Sequence, residues 1–473
     1  MKIKATPYQC AALFNPYDHF AMICGIASGK TYTGAHYSIM CMHKWPHLTG
    51  FIGANNYDQL STATLKELFY WLTEYQIPFV CDKRPPATWK PKMILKDYNN
   101  VLTIFVKDQC VTVFLRTLSD GDAFRGIEFS WYWIDESRDT PQNSHDIILS
   151  RLREDAVIVK GLITTTSNGE DWVFKRCCKG NKGDRTYGSM HVPTIEAVKY
   201  GIISQNFYNT LRSSYSLLMA QQELDAIHVN VRGGRAYHSQ SSANRLVMAP
   251  WGDREPNPMR PLIVSCDFNY HPAPCVWSVG QVGPSIIDPK TGMYFHDFVH
   301  WFGQISDTQI STPAMVDKLV AAFPGFYLYQ FYGDSSGTRG TTSNAGETDF
   351  IQIGTQMTVY SLPYSIDVDN ANPRIRDRVE SVNAMLCAAN GIRRMTYNPY
   401  RCPLLDEDFK NVGWRKTGAY FGKDQLDDGG DKTRTHASDN VGYFVIKRFP
   451  LGRPPATIST LPSMIRGETV GLF

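Results

Sequence analysis

Phe20-Ala21-Met22-Ile23-Cys24, followed by Gly25-Ile26-Ala27-Ser28-Gly29-Lys30-Thr31, is the stretch that decides how the first half of this chain folds. The apolar run reads as a buried strand. The residues from Lys30 to about His43 read as a helix that must stop before Pro46. A loop with glycines and Lys-Thr, set between strand and helix, suits the binding of phosphate. Glycines let backbone N–H groups turn toward the phosphate oxygens, and the helix N-terminus adds its partial positive charge. Gly25, Ser28 and Gly29 are therefore expected to cradle a nucleotide, Lys30 to reach its β- and γ-phosphates, and Thr31 to hold Mg²⁺. The position where the usual motif starts with glycine is Cys24.

The other half of a nucleotide-hydrolysing site is an apolar strand that ends in acids. Trp131-Tyr132-Trp133-Ile134-Asp135-Glu136 has that form. Asp135 is expected to help hold Mg²⁺ through water, and Glu136 to orient or deprotonate the attacking water. Strand-like and helical stretches alternate over residues 1–195, an α/β pattern. Both motifs in this order predict a P-loop ATPase domain of the RecA/ASCE kind, with ATP and Mg²⁺ as cofactors.

Residues 196–258 read differently. A helical stretch over 215–227 runs into Arg232-Gly233-Gly234-Arg235 and then Ser-, Asn- and Pro-rich sequence, which suggests a linker subdomain. A fresh strand at 262–267 opens a second α/β region over 259–449, and residues 450–473, with Pro454-Pro455, read as an extended C-terminal tail.

The second region offers acids in three contexts. Asp267 closes the strand at 262–267, Asp334 ends the apolar run 327–333, and Asp439 opens a helical stretch over 440–447. Two acids at strand ends and a third on a late helix form a ribonuclease H-like pattern. Phosphodiester hydrolysis by two metals needs carboxylates gathered round ions about 3.5–4 Å apart. Asp267, Asp334 and Asp439 are thus expected to hold two Mg²⁺ or Mn²⁺, with Asp428 or Asp431 as the alternative third ligand. His436 stands three residues before Asp439, either as a donor behind the ligands or as a packing residue. Asn372 and Pro373 read as the N-cap and first residue of a helix. Ile375, Val379, Val382 and Leu386 line its core face, leaving arginines to face DNA phosphates.

Composition sets the remaining bounds. The chain has 473 residues, 43 % of them hydrophobic, enough for two or three cores. It lacks both a long apolar run and, in Met1 to Pro7, the apolar core of a signal peptide, so it is expected in the cytoplasm with no membrane partner. Its eleven cysteines include no CxxC pair and read as reduced packing residues. A net charge of +3 does not announce nucleic acid. Lys175, Arg176, Lys179, Lys182 and Arg185 form a local basic cluster, either a DNA patch or a solvated loop.

Taken in order, these motifs resemble the large subunit of tailed-bacteriophage terminases, the DNA-packaging ATPase/nucleases. Thr6-Pro7-Tyr8-Gln9 resembles that family's adenine-reading segment, which implies that Gln9 reads the base. Phe124-Arg125-Gly126, Ser150-Arg151-Leu152-Arg153 and Thr164-Thr165-Thr166-Ser167-Asn168-Gly169 follow in the family's order, the last resembling its coupling motif. Asp267-Phe268-Asn269, 372–379 and 436–443 resemble its nuclease motifs. Many members carry an arginine inside the loop where this chain has Ile26. The resemblance then points to Arg125 as an arginine finger supplied to a neighbouring subunit, with Arg151 or Arg153 as alternatives. It further implies double-stranded DNA, a portal and procapsid, a small terminase subunit and a homo-oligomeric ring, pentameric in the family. The place of action would be the host bacterial cytoplasm. Competing readings are a helicase-like or repair ATPase-nuclease, a recombinase with a decayed P-loop, and a non-catalytic assembly protein. A helicase would need a second RecA-like domain, and a recombinase more often a glutamate where Asp439 stands.

Overall fold

The computed structural model describes residues 3–119, 126–155, 157–179, 185–229, 234–270, 272–284, 286–287, 294–295, 298–339, 347–415 and 425–452. The chain forms two compact units. The first takes Met1–Tyr208 and Leu218–Val231, and the second takes Asn209–Leu217 and Arg232–Phe473. Each is therefore built from two separate pieces of chain.

In the first unit, Thr6 and Pro7 start α1 (Pro7–Leu13): the Thr6 hydroxyl and the Gln9 side chain cap one another's backbone. The apolar run before the loop is β1 (His19–Cys24), and the residues after it form α2 (Lys30–Lys44). β2 (Gly50–Ala54) follows. Then α3 (Tyr57–Gln59) passes through a π-helical turn into α4 (Lys66–Glu74). Next come β3 (Phe79–Cys81), β4 (Val101–Val106), β5 (Gln109–Thr117), β6 (Trp131–Asp135), α5 (Gln142–Arg151), β7 (Lys160–Thr165) and β8 (Tyr187–Val192). They make one sheet in the order β3-β4-β5-β2-β6-β7-β1-β8. From β5 to β8 every pairing is parallel, while β3 and β4 add an antiparallel edge.

Helices cover both faces of a parallel sheet, so its strands are apolar on both sides. β6 shows this directly. Trp131 and Trp133 join the core that includes α2 and α4, and Tyr132 and Ile134 the core that includes α5. The indoles are admitted by glycine. A Cβ on Gly34 of α2 would lie 1.9 Å from Trp133, and one on Gly50 2.1 Å from Trp131. One strand, β7, lies between β1 and β6, so the end of β7 stands between the loop after β1 and the acids after β6.

Three helices follow β8: α6 (Thr194–Lys199), α7 (Gln205–Ser214) and α8 (Leu217–Glu223). The helix expected over 215–227 is thus the shorter α8, which ends at Glu223 and is separated from α7 by Tyr215 and Ser216. These residues pair with other backbone: Ala389 N–H donates to the Tyr215 carbonyl at 2.7 Å, and Ser216 forms a bridge with Ala388. The Ser216 hydroxyl also donates to Glu380 at 2.8 Å.

The second unit's sheet opens with β9 (Leu262–Asp267) and β10 (Cys275–Val282), followed by the short pair β11 (Ile286–Ile287) and β12 (Tyr294–Phe295). β13 (Val299–Asp307), α9 (Thr312–Ala322), β14 (Tyr329–Gly333), α10 (Asp349–Val359) and β15 (Tyr364–Ile366) continue the unit. α11 (Ile375–Leu386), β16 (Met395–Tyr397), α12 (Pro403–Asn411) and α13 (His436–Arg448) complete it. The sheet runs β15-β14-β9-β10-β13-β16. β9, β10 and β13 are antiparallel neighbours, and β14 and β15 lie parallel beyond β9. Counted along the chain, the first five strands stand in the order 3-2-1-4-5, the ribonuclease H-like arrangement. α11, α12 and α13 cover one face of this sheet, and α9 and α10 the other.

All eleven cysteines are free thiols. No helix among the described residues is long and apolar enough to cross a membrane.

Candidate active sites

The loop after β1 is held by its neighbours. Gly25 N–H donates to the Val192 carbonyl at 2.9 Å, and Ile26 N–H to the Glu223 carbonyl at 2.8 Å. Ser28 Oγ donates back to Gly25 at 2.9 Å, which closes the turn. Any side chain at position 25 would strike Thr194 Oγ1, 2.2 Å from an added Cβ. Gly29 caps α2 with φ 76, a left-handed conformation that favours glycine. Gln9 is buried, and its amide nitrogen lies against Gly29, 2.6 Å from where a Cβ would stand. Thr31 is the second residue of α2.

Lys30, Glu136 and Thr166 meet from three elements. Lys30 Nζ donates to Thr166 Oγ1 at 2.6 Å and lies 3.5 Å from Glu136 Oε2. Glu136 itself adopts φ 54, a strained conformation for a non-glycine residue. Burial alone would raise its carboxyl pKa. The charges of Lys30 and Arg138 and the Thr166 hydroxyl outweigh burial and leave the pKa below its ordinary value. Asp135 is buried, and Thr64 Oγ1 and Thr164 Oγ1 each donate to it at 2.8 Å. Burial, then repulsion from Glu136, push its pKa up to about 6. A buried acid in that state is one that a cation would relieve.

The arginines are less uniform. Arg125 lies outside the described residues. Arg151 ends α5, and its buried Nε makes no hydrogen bond among the described residues. Arg153 is exposed and bonds Glu128 at 2.8 Å. Of the basic cluster, Arg176 is tied to His145 and Asp146, and Lys179 lies 3.4 Å from Glu170. Lys182 is outside the described residues.

In the second unit, Asp267 ends β9, Asp334 follows β14, and Asp439 lies in the first turn of α13. α13 starts four residues earlier than expected, at His436, which brings this histidine to Asp267: Nδ1 lies 2.8 Å from Asp267 Oδ2. His436 Nε2 lies 3.1 Å from the Lys432 carbonyl. Both ring nitrogens therefore face acceptors. Burial opposes the charge, but Asp267 and this carbonyl raise the imidazole pKa above its ordinary value. Asp334 accepts from Ser336 N–H at 2.6 Å, Asn372 at 2.7 Å and Tyr443 OH at 3.2 Å. These bonds outweigh its burial and lower its pKa. Asp439 accepts from Arg378 at 2.6 Å. Burial, reinforced by Asp267 and opposed by Arg378, leaves Asp439 at about 6.

Two expectations fail here. Asn372 does not cap α11, whose N-cap is Arg374; its amide instead bridges Asp334 and the Ser335 N–H. The arginines of α11 do not face outward as a group either, because Arg376 and Arg378 are buried. Arg378 lies next to the apolar stripe and fills the space between Asp439 and the Tyr443 ring, 4.5 Å from its centroid. Asp428 and Asp431 are engaged within their own loop, by Lys432 at 2.8 Å and Thr433 at 2.7 Å. Sequence reasoning missed Arg378 and Tyr443. It also missed Asp408, which accepts from Thr435 and Ser438 N–H at 2.9 Å each and so anchors the start of α13. Among the described residues, the oxygens of Asp267, Asp334 and Asp439 do not all come within 4.8 Å of one another, whereas the ligand atoms of Cys178, His191 and His228 do.

Residues 22–241 match the family model described as terminase large subunit, T4likevirus-type, N-terminal. A comparison with curated protein sequences gives no match. Among solved structures, the chain is similar to the large terminase of a thermophilic bacteriophage. In one crystal form of that protein the identity is 14 %, the TM-score 0.58, and the coverage 94 % of this chain and 99 % of that one. The same phage protein in complex with ATP-gamma-S gives 14 % identity, TM-score 0.56 and the same coverage. Its ADP complex gives 14 %, 0.57, 93 % and 99 %. At this identity the likeness establishes the fold, a P-loop ATPase domain joined to a separate nuclease-like domain.

Proposed function

We propose that this chain, whose fold is that of the phage large terminases, is a viral DNA-packaging motor that hydrolyses ATP to drive double-stranded DNA into a procapsid and cuts concatemeric DNA. The observation that carries the reading is the meeting of Lys30, Glu136 and Thr166 at one point of the first unit.

In this reading residues 1–195 are the ATPase domain, 196–258 the linker, 259–449 the nuclease and 450–473 a tail. Ser28 and Gly29 bind the phosphates with backbone N–H groups, Gly25 shapes the loop with its own N–H given to Val192, and Gln9 reads the base from beside Gly29. Lys30 binds the terminal phosphate and leaves Thr166 and Glu136 when it does so. Glu136, released from that ammonium, orients the water that attacks. Thr31 and Asp135 would hold Mg²⁺, which supplies charge to offset that building on the phosphate oxygens. Arg125 is assigned as the finger given to a neighbouring subunit.

In the second unit, Asp267, Asp334 and Asp439 would hold two Mg²⁺ or Mn²⁺, whose chemistry is activation of water and stabilisation of the leaving oxygen. The donor set fits hard cations: three carboxylates, one of them raised to about 6 by burial. His436 orients Asp267, Asn372 and Tyr443 orient Asp334, and Arg378 orients Asp439. DNA, a portal on the procapsid, a small terminase subunit and further copies of this chain in a ring are the partners, and the host cytoplasm is the place.

The experiment is packaging with purified full-length chain, proheads, ATP and linear DNA. Lys30→Ala and Glu136→Gln should each abolish ATP turnover and packaging, with Glu136→Gln still binding nucleotide. Alanine at Asp267, Asp334 or Asp439 should remove metal-dependent cleavage and leave turnover. Normal turnover in both ATPase-site variants would sink the first assignment, and normal cleavage in all three aspartate variants the second.

A further inference from the structure

Cys178, His191 and His228 come from three separate places in the first unit. Cys178 ends the π-helical turn Phe174–Cys178, His191 lies on β8, and His228 lies in the segment after α8. Their sulfur and ring nitrogens all lie within 4.8 Å of one another. Cys178 Sγ is 4.0 Å from His191 Nε2 and 3.8 Å from His228 Nε2. The two imidazole planes stand at 85°, so the rings do not stack; their Nε2 atoms converge on the sulfur.

Packing alone does not account for this convergence. A thiol has one weak proton and two nitrogens face it, each at the outer limit of a sulfur hydrogen bond. His228 is also oriented from behind. Its Nδ1 lies 2.9 Å from the Gly169 carbonyl, which only an N–H can satisfy, so in the neutral ring Nε2 carries the bare lone pair. A backbone acceptor behind a ring nitrogen is the usual support of a metal-ligating histidine.

We infer that Cys178, His191 and His228 form a Zn²⁺ site, with a fourth coordination position open to solvent beside the exposed His191. Bond lengths of about 2.3 Å to sulfur and 2.0–2.1 Å to nitrogen place a tetrahedral sulfur–nitrogen pair about 3.5–3.6 Å apart. The observed sulfur–nitrogen separations of 3.8 and 4.0 Å need only a few tenths of an ångström of closure. A thiolate with two imidazoles and no carboxylate selects zinc over Mg²⁺ or Ca²⁺. The site is separate from the carboxylate-based positions assigned above and does not depend on them.

The position gives zinc a structural task. The segment that carries His228 is also held through Ser167, whose hydroxyl lies 2.9 Å from the carbonyls of both Gln222 and Ile227. Ser167 and Gly169 belong to the same stretch as Thr166, which touches Lys30. A metal joining the π-helical turn, β8 and this segment would fix the far end of the stretch whose near end meets the lysine.

The test uses the full chain, with metal stripped by chelation and returned as Zn²⁺ or Co²⁺ in excess Mg²⁺. Expected are one zinc retained per chain through gel filtration, and with Co²⁺ a visible tetrahedral spectrum with a thiolate-to-cobalt charge-transfer band. Cys178→Ser should remove that band, and His191→Gln, at an exposed position that tolerates substitution, should weaken zinc binding at least tenfold. Zinc at about a hundred times its Kd should favour the folded state about a hundredfold, about 2.7 kcal/mol, read as a rise in Tm that tenfold weaker binding would cut to about half. No retained zinc, an unchanged cobalt spectrum in Cys178→Ser, or equal zinc binding by His191→Gln would each overturn the site.

Discussion

Replacing Arg378 with methionine removes a charge while keeping most of the length of the side chain. Arg378 is buried and donates to Asp439 at 2.6 Å, the two side chains being 5 % and 23 % exposed. The near-zero value of an exposed ion pair therefore does not apply. Without the guanidinium, Asp439 is left half-buried beside Asp267 with no counter-charge. Breaking one side of such a pair costs about 3–5 kcal/mol. At about 2–4 °C per kcal/mol for a unit of this size, Arg378→Met should lower its Tm by about 6–20 °C. Two further measurements separate charge from packing. Burial already places the Asp439 pKa at about 6, above the ordinary 3.8, and loss of Arg378 raises it further. A raised acid binds its proton more tightly in the folded chain, so the stabilisation is present at low pH and is lost as pH rises through the folded pKa. The deficit of the variant should thus be small near about pH 5.5 and grow by about 1.4 kcal/mol per pH unit above about 6, so that it is much larger near about pH 8. Asp439→Asn in the Arg378→Met background should recover much of the loss, because no charge is left stranded. The assay is thermal unfolding of the full chain in chelator at both pH values, for the two single variants and the double. A deficit equal at both pH values, or losses that simply add in the double variant, would refute the counter-charge role.

Three other outcomes are expected. His19 is buried, and burial pushes its pKa down to about 4 from 6.5, so stability held above pH 6.5 is lost as pH falls toward 4. That loss amounts to about 3 kcal/mol, and His19→Gln should flatten the acid limb of the stability curve; an unchanged limb would contradict this. Gly34→Ala would put a Cβ 1.9 Å from Trp133. The clash of about 1–3 kcal/mol should outweigh a helix-propensity gain of about 1 kcal/mol, and a raised denaturation midpoint would contradict it. Arg125→Ala should lower ring ATP turnover by about 10³-fold with nucleotide binding intact, and mixing it with Glu136→Gln subunits should restore some turnover. Loss of nucleotide binding instead would make Arg125 a residue of its own subunit's site.

What the sequence disclosed is what local pattern controls. The run before Gly25 had to be a strand because it is apolar throughout, and the helix after it had to end before Pro46. The acids at 135, 267 and 334 stand at strand ends, which periodicity can locate. Partners across the fold were out of reach. Lys30 and Thr166 are 136 positions apart, and Asp267 and His436 are 169 apart. The reading of α11 failed for a related reason. A helical wheel identifies the stripe of Val379, Val382 and Leu386, but not what packs beside it, and Arg378 flanks that stripe against α13. The break at Tyr215 and Ser216 was hidden because the competing bonds come from residues 388 and 389. The Cys178, His191 and His228 cluster has no motif spacing, because three elements each contribute one ligand.

The interleaving of the two units has a practical consequence for anyone wishing to dissect them. No single cut yields both pieces whole. A break after residue 231 leaves Ser216 on the N-terminal piece and deprives the buried Glu380 of the hydroxyl that bonds it at 2.8 Å. A break after residue 208 strips Ser167 of the carbonyls of Gln222 and Ile227, and Gly169 of the His228 ring. Residues 209–231 would have to be supplied twice, once to each fragment, and in each copy part of the segment would travel as a passenger. Two genes encoding a split version of this chain would therefore overlap in what they encode.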